Sequence, residues 1–340
     1  MGTLKLILYF LLLLIMSIIC IDLFAESSMN WISITPSASF SKRWGHTSVI
    51  FDDGEGEKIW IIGGRISNWT LKNDVWCSID GVNWIQKTSN AEFSPRSYHS
   101  SIVFKNKMWV IGGWDGNRKN DVWCSDNGIT WTLITASAGF SPRNGQSNII
   151  FDDGDGEKLW IIAGTEDGND KNDVWYSTDG LSWTLKTPSA SFIPRREHSS
   201  VVYNNKMWVI SGNEDMTGYK NDVWSSSDGF SWTQETYSAD FSLRTIHNSA
   251  VFNNKIWVIG GTEDYYNPDK YKNDVWSSVD GIKWIEHIDS DSFHPRGEHT
   301  SIVFKNQIWI IAGFDHLNYY NDVWRSDFYS NVDFVKDFYK

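Results

Sequence analysis

Six arginines return at one phase of this 340-residue chain: Arg43, Arg96, Arg143, Arg195, Arg244 and Arg296. Three residues after each stands His46, His99, Gln146, His198, His247 or His299, so five of the eight histidines share one phase. A ring of guanidinium forks has the geometry to clamp a carboxylate, a sulfate or an acidic peptide through paired N–H donors. The same residues have a structural use. Each Arg can cap carbonyls of its own or a neighbouring repeat, and each His can bridge repeats by a hydrogen bond. One asymmetric ligand does not require six copies, which favours the structural use. If part of the ring faces a ligand, the candidates are the six arginines with His99, His198, His247 and His299.

A second, irregular set of polar residues contains Arg65, Arg118, Glu166-Asp167, Glu214-Asp215, Glu263-Asp264 and Asp315-His316. Acids beside a basic centre are the equipment of general acid–base chemistry on sugars, and equally the ordinary charges of solvated loops. The acidic runs 52–57 and 152–157 have oxygen ligands for calcium but not the full twelve-residue pattern. They read as acidic turns. No metal and no cofactor is expected.

These residues are positioned by a repeat of near fifty residues. The tetrapeptide Asn-Asp-Val-Trp occurs six times unaltered, starting at Asn73, Asn120, Asn172, Asn221, Asn273 and Asn321. Two further tryptophan series keep the same period: Trp60, Trp109, Trp160, Trp208, Trp257 and Trp309 before small-residue pairs, and Trp84, Trp131, Trp183, Trp232 and Trp284 after Asp-Gly or Asn-Gly turns, with Trp31 as an unpaired copy. Each unit divides into four short runs of β-branched and aromatic residues separated by Gly, Asn and Asp turns, which predicts an antiparallel four-stranded meander. Such an array is the mark of a propeller.

With an Arg before the first strand, Gly-Gly closing the second and Trp in the fourth, the chain resembles the kelch family of β-propellers from residue 31 to about 327. The resemblance implies an all-β, six-bladed propeller of four-stranded antiparallel blades. Ala163, Ser211 and Ala312 replace the first Gly of the pair. These substitutions argue against a left-handed backbone there. The sixth repeat stops one strand short, and Asn30–Thr35 supplies the missing strand at the other end of the chain, so the N-terminal strand is expected to close the ring.

Topology puts the arginine ring and the loops after Gly-Gly on one face. Eighteen of the twenty-one tryptophans fall in phase and are assigned to packing, each worth roughly 4–6 kcal/mol as an upper bound. Trp44, Trp69 and Trp114 break phase on the loop face and are the candidates for stacking on a ligand.

Residues 6–21 form an apolar run after Lys5 and before Asp22-Leu-Phe-Ala25, which reads as a signal peptide over 1–25. A lipoprotein at Cys20 and an uncleaved anchor are the alternatives. The propeller then spans 26–327 and a tail 328–340. The chain is expected to be exported, to the periplasm, the cell surface or the medium. A net charge of −12 gives no counterion-release drive toward nucleic acid. Cys77 and Cys124 sit at equivalent, distant positions and are expected to be free, partly buried thiols.

Two functions follow. The first is a monomeric binding scaffold for a protein, peptide or glycan on the loop face, and this is the reading adopted. The alternative is a carbohydrate-active enzyme similar to sialate mutarotases, which are also six-bladed kelch propellers, or to sialidases. The Ser-x-Asp-Gly-x-x-Trp turns resemble sialidase Asp-boxes but are one residue shorter, and in that family the box is a turn remote from catalysis. Galactose oxidases share the repeat type but use seven blades and a copper site.

Overall fold

The computed structural model describes residues 29–215, 218–287 and 292–328. Every repeat folds as the period dictates, into strands hydrogen-bonded in sequence order. In blade 2 these are Ser100–Phe104, Lys107–Trp114, Arg118–Ser125 and Thr132–Thr135, each antiparallel to the next. Six such sheets form an all-β six-bladed propeller. Blade 1 carries a fifth, two-residue strand, Arg43–Trp44, against Glu57–Ile66.

The ring closes as expected. Met29–Thr35 pairs antiparallel with Tyr319–Phe328, setting Trp31 opposite Ser326 and Ile32 opposite Arg325. A second clasp lies beside it. Asn321 Nδ2 donates to the carbonyls of Ala38 and Phe40 at 2.9 and 3.1 Å, tying the last repeat to a segment more than 280 residues earlier.

The Asn321 clasp repeats within the chain and explains why Asn-Asp-Val-Trp is invariant. Asn73, Asn120, Asn172 and Asn221 each donate to two carbonyls of the segment entering the next blade. The Val is wholly buried, and the Trp Nε1 donates to the Asp of its own tetrapeptide at 2.7–2.9 Å. The Asp holds the ring arginine, as described below. Trp60, Trp109, Trp160, Trp208, Trp257 and Trp309 are buried too, each donating to a carbonyl at or next to the end of its own blade's first strand. The turn glycines pack under them: a Cβ on Gly128 would come within 2.2 Å of the Trp60 ring. Cys77 and Cys124 are free thiols and fully buried rather than partly so.

One expectation fails at the small-residue pairs. Ala163, Ser211 and Ala312 keep the left-handed backbone of the glycines they replace, with φ of 55°, 54° and 57° against 57–59° at Gly63, Gly112 and Gly260. The bulge between strands two and three fixes this conformation in every blade, so each substitution is tolerated with a strain of about 1 kcal/mol. The second position is stricter. Gly64, at φ 98°, leaves a Cβ only 2.6 Å from that of His46, and no other residue fits.

The proposed signal segment, including Cys20 and the anchor alternative, lies outside the described residues, as do residues 329–340. Phe328 itself ends the last strand.

Candidate ligand site on the loop face

The six ring arginines are the most completely buried charged side chains of the propeller. Arg96 shows the pattern. Its backbone N–H and C=O bond to Lys72 and Gly64 of blade 1, while its guanidinium reaches Gly112 O and both oxygens of Asp121 in blade 2, at 2.7–2.8 Å. Nε donates to Ser94 O and the remaining donor to Ser94 Oγ. Arg43, Arg143, Arg195, Arg244 and Arg296 repeat the fork with Asp74, Asp173, Asp222, Asp274 and Asp322. Each arginine rivets blades together. With its forks spent on the invariant Asp, the ring offers no clamp, and this corrects the ligand-contact reading of the six arginines. The clue was present in the sequence, in six Asp at one phase to match six Arg.

The histidines line the central channel and bridge blades. His99, His198, His247 and His46 set Nε2 against a Thr or Ser hydroxyl of the preceding blade, at 2.9, 2.8, 2.8 and 3.3 Å. Gln146 does the same work through Ser100 Oγ and Ile111 O. Burial, then the neighbouring arginine, drives His99, His198 and His299 down to about 3, and His46 and His247 well below their usual range. The ring is therefore neutral, not cationic, at physiological pH. His299 alone breaks the pattern: the preceding blade supplies Asn248 in place of a hydroxyl, and both ring nitrogens are buried without a partner.

The loop acids are engaged locally. Glu166 pairs with Lys171, Glu214 with Lys220, Glu263 with Lys272 and Asp115 with Lys119, at 2.6–2.9 Å. The Lys272 hydrogen bond, against opposing burial, pulls Glu263 down to about 2. A carboxylate held this firmly ionised is the reverse of the raised-pKa acid that glycosidic chemistry calls for. The acidic turns are also self-satisfied: Asp52 Oδ1 accepts from Gly54 and Gly56 at 2.8 Å, and Asp53 binds Lys58 and Lys87. Residues 152–157 repeat this arrangement. In the Asp-Gly turns, burial opposes ionisation of Asp80, but hydrogen bonds led by those from Asn83 hold it at about 2, a turn-forming role.

The three out-of-phase tryptophans do come together, around a residue whose importance the repeat could not show. Arg65 places its guanidinium 4.8 Å from the ring centroids of both Trp69 and Trp114, and 5.9 Å from that of Tyr98. It is only 6% exposed, Nε is unpartnered, and no carboxylate pairs with it among the described residues. Arg118 and Asn144 complete the depression. Trp69 is 67% exposed and Trp114 half-buried. Trp44, by contrast, is buried. It stacks on Tyr319 at 4.5 Å and Phe314 at 5.6 Å and meets Trp69 edge-on at 6.2 Å, so it supports the platform from beneath instead of stacking on a ligand.

Residues 17–184 and 154–332 match the KLHDC2/KLHL20/DRC7 Kelch-repeats domain. The chain belongs to this kelch-repeat family. Among curated proteins it is similar to a leucine-zipper-like transcriptional regulator 1 homolog of Drosophila melanogaster, 35% identical over 22% of this chain and 8% of that protein. It is also similar to human host cell factor 2, 31% identical over 25% of this chain and 11% of the relative. A third similarity is to the tRNA wybutosine-synthesizing protein 2/3/4 of Arabidopsis thaliana, 33% identical over 24% and 8%. The matched stretches cover about a tenth of these relatives' length.

Proposed function

We propose that the protein is a protein-interaction scaffold that engages its partner on the loop face, with Arg65 taking a carboxylate of the bound segment. One observation carries this reading: a nearly buried guanidinium, clasped between Trp69 and Trp114, has no anion of its own. Burying a cation without a counter-charge is costly, and an incoming carboxylate removes that cost through bidentate bonds. The two indoles hold the fork flat and shield it from water, while exposed Trp69 offers apolar contact beside it. Membership of the kelch-repeat family supports a binding role. The apolar run 6–21 supports placing this scaffold outside the cytoplasm, where mass spectrometry of the mature N-terminus tests cleavage after Ala25.

Selection from a random peptide library on the intact protein tests the binding role. Enrichment of peptides with Asp or Glu next to an aromatic residue, lost with Arg65→Met, is the expected outcome. Enrichment of the same peptides by Arg65→Met contradicts it.

A further inference from the structure

The channel mouth holds a second feature that the Arg65 platform does not use. Two residues after each ring arginine come Gly45, Tyr98, Gly145, Glu197, Ile246 and Glu298, all in the left-handed region with φ between 49° and 66°. Successive backbones are joined blade to blade: Tyr98 N–H to Gly45 O, Gly145 to Tyr98, Glu197 to Gly145, Ile246 to Glu197 and Glu298 to Ile246, at 2.8–3.2 Å. The bonds form a rim that presents a side chain from four blades and glycine from the other two. Glycine at position 45 leaves a gap into which Glu298 leans, its Oε2 3.3 Å from where a Gly45 Cβ would stand.

Glu298 Oε1 accepts from the Tyr98 hydroxyl at 3.1 Å, whereas Oε2 is buried without a well-formed hydrogen bond, the neutral Tyr265 hydroxyl being the other donor near the carboxyl. Glu197, two blades back on the same rim, accepts only from Thr245 at 3.1 Å. Among the described residues no Lys, Arg or His pairs with either carboxylate. Arg196, beside Glu197, is committed to Asp170 and Asp215. Arg65 lies across the ring of Tyr98. A second, independent observation falls in the same cavity of about 240 Å³: the His299 imidazole, 2% exposed, has its Nε2 unpartnered because Asn248 replaces the hydroxyl used in the other blades, and its Nδ1, like that of the other channel histidines, is unpartnered too. Among the described residues no group of three or more His, Cys, Asp or Glu is arranged to hold a metal ion. The unmet need is for hydrogen-bond donors carrying positive charge.

We infer that this mouth is a binding site for a protonated amine or guanidinium group, such as the lysine or arginine side chain of a bound protein, held by Glu298 with Glu197 and His299 at its sides. The site stands independently of the Arg65 reading. Tyr98, Tyr265, Glu197 and, more distantly, Arg65 face the Glu298 carboxyl, and the five channel imidazoles are neutral. Burial, then Glu197, raises Glu298 well above the usual carboxylate range, which favours its protonated form in the free protein. An arriving cation displaces that proton to solvent. Binding is thus coupled to release of up to one proton and tightens with rising pH through the range in which Glu298 titrates, by at most about tenfold per unit.

Calorimetric titration of the full chain with L-argininamide and with methylammonium, against sodium chloride at equal ionic strength, tests this. Titrations in two buffers of different ionisation enthalpy count the protons. Wild type should bind saturably with release of up to one proton, and Glu298→Gln should bind about tenfold or more weakly with none. Tyr98→Phe keeps the carboxylate and should retain binding. Asn248→Ser gives His299 a hydroxyl partner, and should weaken binding several-fold, which provides a readout if Glu298→Gln fails to fold. Titrations indistinguishable from sodium chloride overturn the inference, and so does proton-coupled binding that Glu298→Gln leaves intact.

Discussion

Asn248 donates its side-chain amide to the backbone carbonyl of His299 at 2.6 Å, where four other blade junctions set a hydroxyl against the next imidazole. Asn248→Ser exchanges one hydrogen bond for another and ends the burial of an unpaired ring nitrogen. It should stabilise the fold by about 1 kcal/mol, raising Tm by about 2 °C in calorimetry. An unchanged or lower Tm would show that His299 is already satisfied, for instance by water.

The two classes of arginine should separate cleanly on mutation. Arg96→Met leaves the largely buried Asp121 without its counter-charge and should cost about 3 kcal/mol in urea unfolding. Arg65→Met leaves no anion stranded and keeps a side chain between the two indoles, so it should change stability by less than about 1 kcal/mol. Equal losses from both would mean that Arg65 is a structural rivet too.

Acid lability follows from the histidine ring. The folded values lie below the unfolded value of 6.5, so their contribution is complete above 6.5 and is lost as pH falls from there toward about 3. Each ring adds at most about 1.4 kcal/mol per pH unit to the slope. Glu197 and Glu298 act oppositely, since their folded values are raised and their contribution is full at low pH, but two carboxyls offset only part of five rings. His99→Gln, copying Gln146, should remove one proton from the slope of unfolding free energy between pH 6 and 4 while leaving stability at pH 8 nearly unchanged. A slope identical to wild type would contradict the buried neutral ring.

Closure can be weighed against an internal joint. Asn321→Ala leaves the Ala38 and Phe40 carbonyls unpaired, as Asn120→Ala does for Ala138 and Phe140. Each should cost about 1–3 kcal/mol by chemical denaturation. If Asn321→Ala were silent, the chain ends would not be clasped in solution.

Much of this architecture was legible. The truncated sixth repeat and the orphan strand at Asn30–Thr35 specify each other, and the pairing of Trp31 with Ser326 is their direct result. The arginine phase was equally plain, but its role was not, because charge neutralisation depends on which Asp a side chain reaches. Backbone strain escaped as well. Ala163, Ser211 and Ala312 look like evidence for relaxed geometry, yet the bulge imposes the left-handed turn whatever residue occupies it. Trp44 and Trp69 both break phase, and only packing against Phe314 and Tyr319 of the last blade buries the first while the second stays exposed. Arg65 ends the second strand of blade 1 at a position where the other repeats carry Trp114, Thr165, Asn213, Thr262 and Phe314, so the repeat pattern could not single it out.

Binding on the loop face turns on the Arg65 guanidinium. The most direct test is the calorimetric affinity of the best library-selected acidic peptide for wild type and Arg65→Met, with Tm confirming that both are folded. A loss of about thirtyfold or more is expected for the variant, and the same loss in wild type when the peptide's carboxylate is replaced by an amide. Equal affinities for the two proteins would contradict it.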